Sequence, residues 1–393
     1  MASAIQNREL SISESSSAAA CPAHLTRVMA SDLQLNCGMR VGVSIAQTGS
    51  QSTFGMHALK GIRQWISRLQ NEGGLNVGRQ GPSVSLITRD DCSRTSLARN
   101  NTRTLINEDN VNVLFGPYSS HLTKAVCEIS EAHQKLLWNH GGASDEIFRG
   151  EPRWIVSTIS PATKYLEKLP QWIARHDSVV DRYLLLSSSK GTFASAVAAG
   201  VREAVHLLIK PVRLHSAELP EKPEDLIALL DDTSAQVLIL AGRFEQEIPL
   251  LRTRPAWPKS IRYVACVAAG VRQFENVLGR LAEGVIGPSQ WEPGIHHAPA
   301  ALGPASSQFV REFAELFGEL PDYTAAGTFA AGLIAAVCIR RAGSFEDARV
   351  REVAHDLDTQ TFYGRFRIDP SGRQIGHEVH LVRWNEGKKI VIA

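Results

Sequence analysis

The chain has 393 residues, of which 44% are hydrophobic and 21% charged, the balance of a globular protein large enough for two domain cores. The 42 Lys and Arg residues oppose 40 Asp and Glu residues, so a net charge of +2 gives no basic surface for nucleic acid. No apolar run reaches about 18 residues, so we expect no membrane insertion.

The first 38 residues are rich in Ser and Ala and lack the apolar core of a signal peptide. We therefore predict a disordered leader over residues 1–38. None of the six cysteines forms a C-x-x-C pair, which argues against a zinc ribbon or a redox motif.

From residue 39 onward, apolar strands alternate with amphipathic helices. Met39–Ile45 predicts a strand, and apolar residues at helical spacing predict a helix over 54–71. The pattern continues with strands at 84–87, 111–115 and 135–138 and helices over 93–107 and 120–133. This order with short connections predicts a parallel sheet covered on both faces, with ligands beyond the carboxyl ends of its strands.

A second α/β unit begins near residue 182. Strands are predicted at 183–186, 237–240 and 263–267, with a helix over 190–206. Residues 303–356 are predicted to be mostly helical. Alternation at period two over 361–384 predicts a hairpin that turns at 370–372.

Tests for enzyme chemistry mostly fail. There is no G-x-S-x-G elbow, no H-E-x-x-H and no phosphate-binding P-loop. The adjacent pair His296-His297 is predicted to lie in an exposed loop, since adjacent side chains diverge. Asp90 and Asp91 end a strand and are predicted to cap the next helix rather than to bind a cation. We therefore predict no catalytic residue, no metal and no cofactor.

Several motifs occur in a characteristic order along the chain. They are Q-T-G at 47–49, N-E-G-G at 71–74, G-P-Y-S-S at 116–120, N-H-G-G-A-S-D at 139–145, E-G-V-I-G-P-S-Q-W at 283–291, P-D-Y-T-A-A at 321–326 and R-A-G-S at 341–344. Over residues 40–393 this order resembles the type I periplasmic binding proteins, in particular the leucine/isoleucine/valine-binding and amide-binding branch that serves ABC uptake systems.

The resemblance implies two Rossmann-like lobes with parallel sheets, joined by three hinge crossovers, with a small ligand between them. Lobe one would comprise residues 40–157 and 290–358, and lobe two residues 158–289 and 359–393. The family implies a periplasmic location, whereas the lack of a recognisable signal peptide leaves a cytoplasmic location open.

The strand ends and the resemblance together predict the ligand-binding residues. Ser120 would begin a helix whose free N–H groups and dipole favour a carboxylate or carbonyl oxygen, with plain helix capping as the alternative. Phe193 matches the position of a covering aromatic residue in relatives, and core packing is its alternative, as it is for Trp291 and Tyr323. The full set is Tyr118, Ser120, Gly142, Ala143, Ser144, Phe193, Ala269, Gly270, Trp291 and Tyr323.

The neutral stretch Val267–Val271 departs from the family pattern, because amino-acid binders of this group place a carboxylate there to pair the ammonium of the ligand. A buried ammonium without a counter-charge is costly. We hypothesise that the ligand lacks a free α-ammonium and is an amide, a urea-like compound or a carboxylic acid. The alternative is that Glu245, Glu247 or Glu275 reaches the cleft and replaces the missing carboxylate.

Three functions remain open from the sequence. The first is the substrate-binding component of an ABC importer for an amino acid, an amide or a small carboxylic acid, with a permease as partner. The second is a cytoplasmic amide or amino-acid sensor that controls a regulatory protein. The third is an enzyme on a doubly wound fold, which requires a nucleophile and a base in the cleft. In the first two, the ligand bridges both lobes and favours hinge closure.

Overall fold

The computed structural model describes residues 38–75, 77, 83–295 and 299–393, which form two α/β lobes. Residues 1–37 of the predicted leader and the pair His296-His297 lie outside the described residues. Two α/β units with parallel sheets were expected from the alternating strands and helices, and this fold class is confirmed.

Lobe one is built on a five-stranded parallel sheet in the order β2-β1-β3-β4-β5. Its strands are β1 (Met39–Ile45), β2 (Val84–Asp90), β3 (Val113–Phe115), β4 (Leu137–Asn139) and β5 (Ile155–Ser157). The helices between them are α1 (Ser52–Asn71), α2 (Thr95–Asn107) and α3 (Ser120–His133). Both β1 and α3 begin and end at the predicted residues, because their apolar spacing is clear.

Lobe two has a seven-stranded sheet in the order β14-β13-β10-β9-β8-β6-β7, in which β13 runs antiparallel to β10 and β14. Its strands are β6 (Arg182–Ser187), β7 (Arg213–Glu218), β8 (Val237–Ala241), β9 (Tyr263–Cys266), β10 (Ile286–Ser289), β13 (His380–Asn385) and β14 (Lys388–Val391). Its helices are α4 (Leu169–His176), α5 (Thr192–His206), α6 (Pro223–Thr233), α7 (Phe244–Leu251) and α8 (Gln273–Leu278).

Three further helices complete lobe one: α9 (Ser306–Phe317), α10 (Tyr323–Ala342) and α11 (Asp347–Asp356). Among the described residues, α10 alone is long and apolar enough to cross a membrane by length and composition, and 83% of its most apolar stretch is buried. It packs closely on α1, since a Cβ added at Gly332 would lie 2.3 Å from the Trp65 ring. Burial in the lobe-one core explains its apolar sequence.

The predicted hairpin over 361–384 is confirmed only at its turn, where an antiparallel bridge joins Ile368 and Gln374 around residues 370–372. The strands on either side of that turn do not pair with each other. Strand β11 (Thr359–Thr361) pairs with β12 (Gly364–Phe366), whereas β13 pairs with β10 and β14. Phe362 and Phe366 are buried among the aromatic residues of α9 and α10. Residues 359–368 therefore lie with lobe one, because the large apolar rings of Phe362 and Phe366 are buried in its core. The predicted start of the last lobe-two segment at residue 359 is too early.

Three crossover segments join the lobes and hydrogen-bond to one another. The Ser160 N–H donates to Gln290 Oε1, and Gln290 Nε2 donates back to the Ser160 carbonyl, each at 3.2 Å. The Ser160 hydroxyl donates to the carbonyl of His377 at 2.8 Å, and all three residues are buried. The hinge is therefore a short, bonded bundle of chain segments rather than three independent linkers.

Candidate functional site: the interlobe cleft

A cleft of about 500 Å³ opens between the lobes at the carboxyl ends of their strands. Its walls come from the loops after β1, β3 and β4 in lobe one and after β6, β8 and β9 in lobe two. This volume suits a small organic molecule. The site lies where parallel sheets place their ligands, as the strand-end rule predicts.

Six of the ten predicted site residues line the cleft: Tyr118, Ser120, Ala143, Phe193, Gly270 and Tyr323. The other four do not. Trp291 packs edge-on against Phe309 and Phe362 in the lobe-one core and is 1% exposed. Ala269 is fully buried behind the lobe-two wall, where its carbonyl accepts from Trp384 Nε1 at 2.8 Å.

Gly142 and Ser144 serve the architecture around the cleft instead of lining it. A Cβ added at Gly142 would lie 2.5 Å from Thr123, so glycine lets this loop sit against α3. The Ser144 N–H donates to Ser120 Oγ at 3.0 Å, and the Ser144 hydroxyl hydrogen-bonds the Thr192 hydroxyl at 2.8 Å. Since Thr192 begins α5, Ser144 joins the two lobes directly beside the cleft.

The first turn of α3 supplies backbone donors to the cleft. The first N–H groups of a helix have no acceptor inside it, and Ser120 and His121 line the cleft. The preceding Ser119 also lines it, but its N–H donates to the Gly141 carbonyl at 3.3 Å. The predicted capping by a serine hydroxyl is not observed, since no side chain caps this helix. Ser119 has φ +87°, a strained value for a residue with a side chain, and such strain is often kept at binding sites.

Aromatic rings form much of the lobe-one wall. Phe54 stacks on Tyr118 with ring centroids 4.8 Å apart. The Tyr118 and Tyr323 hydroxyls hydrogen-bond at 2.7 Å. Burial raises the pKa of both phenols, so both remain protonated at neutral pH. One hydroxyl donates to the other, which leaves one proton for a different acceptor.

Asp322 fixes Tyr323 at the start of α10. Its Oδ1 accepts from the Thr324 and Ala325 N–H groups at 2.9 and 3.1 Å, which caps the helix. His57 Nδ1 lies 3.5 Å from Asp322 Oδ2, and this carboxylate raises the pKa of His57. Burial opposes ionisation of Asp322, but the His57 and Thr324 contacts outweigh it and lower the pKa of Asp322.

Asp90 shapes the loop that leads from β1 to α1, the helix that carries Phe54, and the prediction that it caps α2 is wrong. That helix begins at Thr95 without a side-chain cap. Instead, Asp90 accepts from the Gln47 N–H, the Thr48 hydroxyl and the Cys92 N–H at 2.7–2.9 Å. Although burial opposes ionisation, these bonds lower the pKa of Asp90 to about 2. Asp90 thus ties the end of β2 to the loop after β1.

Lobe two contributes the charged groups of the cleft. The lining residues with charged side chains are Lys190, Arg243 and Glu245, all exposed. Lys190 pairs with Glu221 at 2.8 Å, and Arg243 Nη1 lies 3.9 Å from Glu245 Oε1. Burial and then the charge of Arg243 lower the pKa of His121 on the opposite wall, so its imidazole is neutral at pH 7.

Of the three carboxylates that could replace the missing counter-charge, only Glu245 lines the cleft. Glu247 is fully buried, and its two oxygens accept from the Gly242 and Ala268 N–H groups at 2.6 and 2.7 Å. Glu275 lies on α8 and is not among the lining residues. Val267, Ala268, Gly270 and Val271 line the cleft without charge.

Sequence reasoning missed several lining residues. Phe54, Arg243 and Phe244 follow β1 or β8 closely, so the strand-end rule could have found them. Tyr165 lies after the first crossover, and no local pattern marks it. Within the described residues, no group of three His, Cys, Asp or Glu side chains is placed to hold a metal ion.

Residues 38–389 match the family model for periplasmic binding proteins. The chain belongs to this family. Among solved structures, it is similar to a leucine-binding protein of Thermotoga maritima, with a TM-score of 0.76, 16% identity, and coverage of 90% of this chain and 98% of that one. Binding of a solute between two lobes is the role of the family, which is typically periplasmic.

Two further structures share the fold. A branched-chain amino acid substrate-binding protein of Streptococcus pneumoniae, complexed with isoleucine, gives a TM-score of 0.77 at 14% identity and covers 91% of this chain and 99% of that one. A solute-binding protein of Rhodopseudomonas palustris, complexed with 3,4-dihydroxybenzoic acid, gives 0.73 at 16% identity, with coverage of 91% and 96%. At these identities the likeness establishes the fold alone.

Proposed function

We propose that this protein is the substrate-binding component of an ABC importer and captures a small carboxylic acid with an aromatic or branched apolar body and no α-ammonium group. The observation that carries the proposal is the neutral stretch Val267–Val271 on the lobe-two wall, next to Arg243. The protein holds the solute without altering it.

The apolar body of the ligand lies between aromatic side chains of both lobes. Lobe one offers the Phe54–Tyr118 stack, and lobe two offers Phe193, whose ring meets Tyr165 edge-on at 5.2 Å. Such rings contribute large apolar contact areas and favour stacked or edge-on partners. A flat ring or a branched alkyl group matches this lining better than a polar sugar.

The carboxylate of the ligand is bound from both sides of the cleft. The N–H groups at the start of α3 offer unpaired donors, and the helix dipole favours a negative charge there. Across the cleft, Arg243 adds a guanidinium that can bind a carboxylate through two parallel hydrogen bonds. Its neighbour Glu245 is 3.9 Å away and exposed, so that ion pair is weak.

An α-ammonium group has little to bind in this cleft. Glu247 uses its oxygens on backbone amides, and Glu275 lies outside the lining. Glu245 remains, but Arg243 competes for it and would repel a cation. Burial of an unpaired ammonium costs several kcal/mol, roughly. A deaminated acid avoids that cost.

The importer role is supported by the family and by the similar structures, which are substrate-binding proteins. Their ligands include an aromatic acid and a branched-chain amino acid, so the fold accommodates both kinds. Nothing in these comparisons favours the sensor alternative. Closure around the solute would present the form that the permease recognises, and the Ser144–Thr192 hydrogen bond already joins the lobes on one side.

Calorimetry with matched compounds tests the ligand class. One set is hydrocinnamate, its amide and phenylalanine; the other is isocaproate, its amide and leucine. Within each set the carbon skeleton is constant, so affinities should decrease from acid to amide to amino acid. Tighter binding of phenylalanine or leucine than of the deaminated acid would contradict the ligand class but leave solute binding intact. Absence of binding by all six compounds would contradict the proposed ligand class as a whole.

A further inference from the structure

Glu247 is a buried carboxylate that the proposed ligand contacts do not use. It lies in the first turns of α7 and is 0% exposed. None of the salt bridges between described residues includes it. A charge buried without a counter-ion is unfavourable, so its presence requires another reason.

The two oxygens of Glu247 bind two different loops of the cleft wall. Oε1 accepts from the N–H of Gly242, directly after β8, at 2.6 Å. Oε2 accepts from the N–H of Ala268, two residues after the end of β9, at 2.7 Å. Both residues line the cleft, whereas Glu247 itself does not. The carboxylate therefore lies behind the wall and connects its two main loops.

The local sequence is adapted to this bridge. A Cβ added at Gly242 would lie 3.2 Å from Glu247 Cγ and 2.8 Å from Leu219 Cδ2, so a side chain there would require Leu219 or Glu247 to shift. The bridge fixes the spacing between the loop of Arg243 and the neutral stretch Val267–Val271. These are the two lobe-two features on which the proposed ligand class depends.

We propose that Glu247 is the positioning residue of the lobe-two wall: by bridging the Gly242 and Ala268 amides, it sets the distance between Arg243 and the neutral stretch and thereby the affinity for the ligand. This inference rests on the proposed function only for the identity of the ligand whose affinity Glu247 affects. Since Glu247 does not touch the cleft, it acts through the two loops.

The surroundings of Glu247 favour a carboxylate that titrates near neutrality. Burial raises its pKa to about 7, against the hydrogen bonds from Ala268 and Gly242. The titratable group that faces it is the buried Cys266 thiol of β9. On the elements packed against α7, Glu275 of α8 is half-buried, and the acidic residues of α6 are exposed: Glu224, Asp225, Asp231 and Asp232.

Exchange of selected backbone amides tests the bridge without a ligand. In the full chain labelled with ¹⁵N-glycine and ¹⁵N-alanine, the Gly242 and Ala268 signals should shift together with a midpoint near pH 7 and be protected from hydrogen exchange at about pH 8. Glu247→Gln, which replaces one acceptor oxygen by a donor, should abolish the common titration and expose at least one of the amides. Glu247→Leu should expose both.

Measurements of ligand affinity and stability in the Glu247 variants then distinguish a positioning role from a general contribution to folding. Both variants should bind hydrocinnamate at least about tenfold more weakly. The melting temperature of Glu247→Gln should fall less than that of Glu247→Leu, because the amide keeps an acceptor oxygen for one of the two backbone N–H groups. Glu275→Gln, a carboxylate-to-amide change in the same lobe, is the control and should leave affinity and amide protection unchanged.

Two outcomes would overturn the inference: protected Gly242 and Ala268 amides in both Glu247 variants, or exposed amides with unchanged hydrocinnamate affinity. If the wild-type protein binds neither hydrocinnamate nor any compound of the matched sets, the proposed ligand class fails. The exchange experiment still decides in that case whether Glu247 holds the wall.

Discussion

The two walls of the cleft are held by the same device but present different chemistry to the ligand. In lobe one, the polar side chains at strand and helix ends bind backbone amides: Asp90 the loop after β1, Asn139 the Gly141 and Gly142 amides, and Asp322 the start of α10. In lobe two, Glu247 binds the amides of two loops and Gln246 and Ser188 bind the Arg243 and Lys190 amides, while the Arg243, Lys190 and Glu245 side chains remain exposed at the cleft.

This difference suggests that lobe one provides general ligand binding and lobe two provides ligand selectivity under the proposed function. Lobe one offers neutral hydrogen-bond donors, namely helix amides and tyrosine hydroxyls. These donors can bind many ligands that contain oxygen acceptors. Lobe two places the charged side chains, so under the proposed function the choice between an acid and an amino acid would depend on it. The proposed selectivity would therefore require charged side chains at one place on the lobe-two wall and none at Val267–Val271 of the same wall.

The largest effect is expected from removal of a lobe-one anchor. Asp322→Ala should lower the free energy of unfolding by about 2–3 kcal/mol, because the cap of α10 and the partner of His57 are lost together. Urea denaturation measures this. Asp356→Ala, at an exposed helix end, is the control and should change stability by less than about 0.5 kcal/mol. Equal losses in both variants would refute the anchoring role.

Removal of charge from the lobe-two wall should affect binding more than stability. Arg243→Gln should weaken hydrocinnamate binding about tenfold, or about 1.4 kcal/mol, while affinity for its amide changes little. Lys190→Gln is the matched control, since that cation is exposed and already paired with Glu221. Calorimetry at low salt distinguishes them. An equal loss for acid and amide in Arg243→Gln would mean that Arg243 does not recognise charge.

The hydroxyl pair of lobe one should show a smaller, purely pairwise effect. A double-mutant cycle of Tyr118→Phe and Tyr323→Phe should give a coupling energy of about 1 kcal/mol in stability, because the hydroxyls hydrogen-bond each other. Tyr363→Phe is the control, since its buried hydroxyl has no hydrogen-bond partner in the described part of the chain. That substitution should be neutral or stabilising. Additive effects of the two tyrosine changes would contradict a direct bond.

Sequence reasoning could predict the fold because the periodicity of apolar residues and the length of the connections are local features of the sequence. The spacing of Leu59, Ile62, Trp65 and Ile66 identified α1, and the order of strands and helices identified parallel sheets. The strand-end rule then located the cleft. Phe362 and Phe366 show the limit of prediction from local pattern. Their alternation indicates a strand, but their place in lobe one depends on packing against the aromatic residues of α9 and α10.

Side-chain direction at the site could not be predicted in the same way. Trp291 and Tyr323 both follow matched motifs, yet one enters the core and the other the cleft. The difference depends on Phe309 and Phe362 around Trp291 and on Tyr118 opposite Tyr323, which are distant in sequence. Glu247 was one of three alternative carboxylates for the cleft, and its two backbone partners exclude that alternative; neither amide partner can be located from spacing alone.

The smallest expected effect is a pH dependence of lobe-one stability from His57. Its pKa is raised above 6.5 by Asp322, so the stabilisation is fully present below about pH 6.5 and is lost as the pH rises through the folded-state pKa. The free-energy difference between wild type and His57→Asn should be about 0.5–1 kcal/mol near pH 6 and smaller at about pH 9, since the pair is partly exposed. Denaturation over this pH range measures it.

The control for His57 must exclude the other lobe, because Glu247 has a raised pKa as well and also favours the folded state as the pH falls. Comparison of His57→Asn in the wild-type and Asp322→Asn backgrounds isolates the lobe-one contribution, since Glu247 is intact in both. The pH-dependent difference should disappear in the Asp322→Asn background. If it persists there, the proton is held by Glu319, whose Oε1 lies 3.7 Å from His57 Nε2, and Asp322 acts on α10 only through its cap.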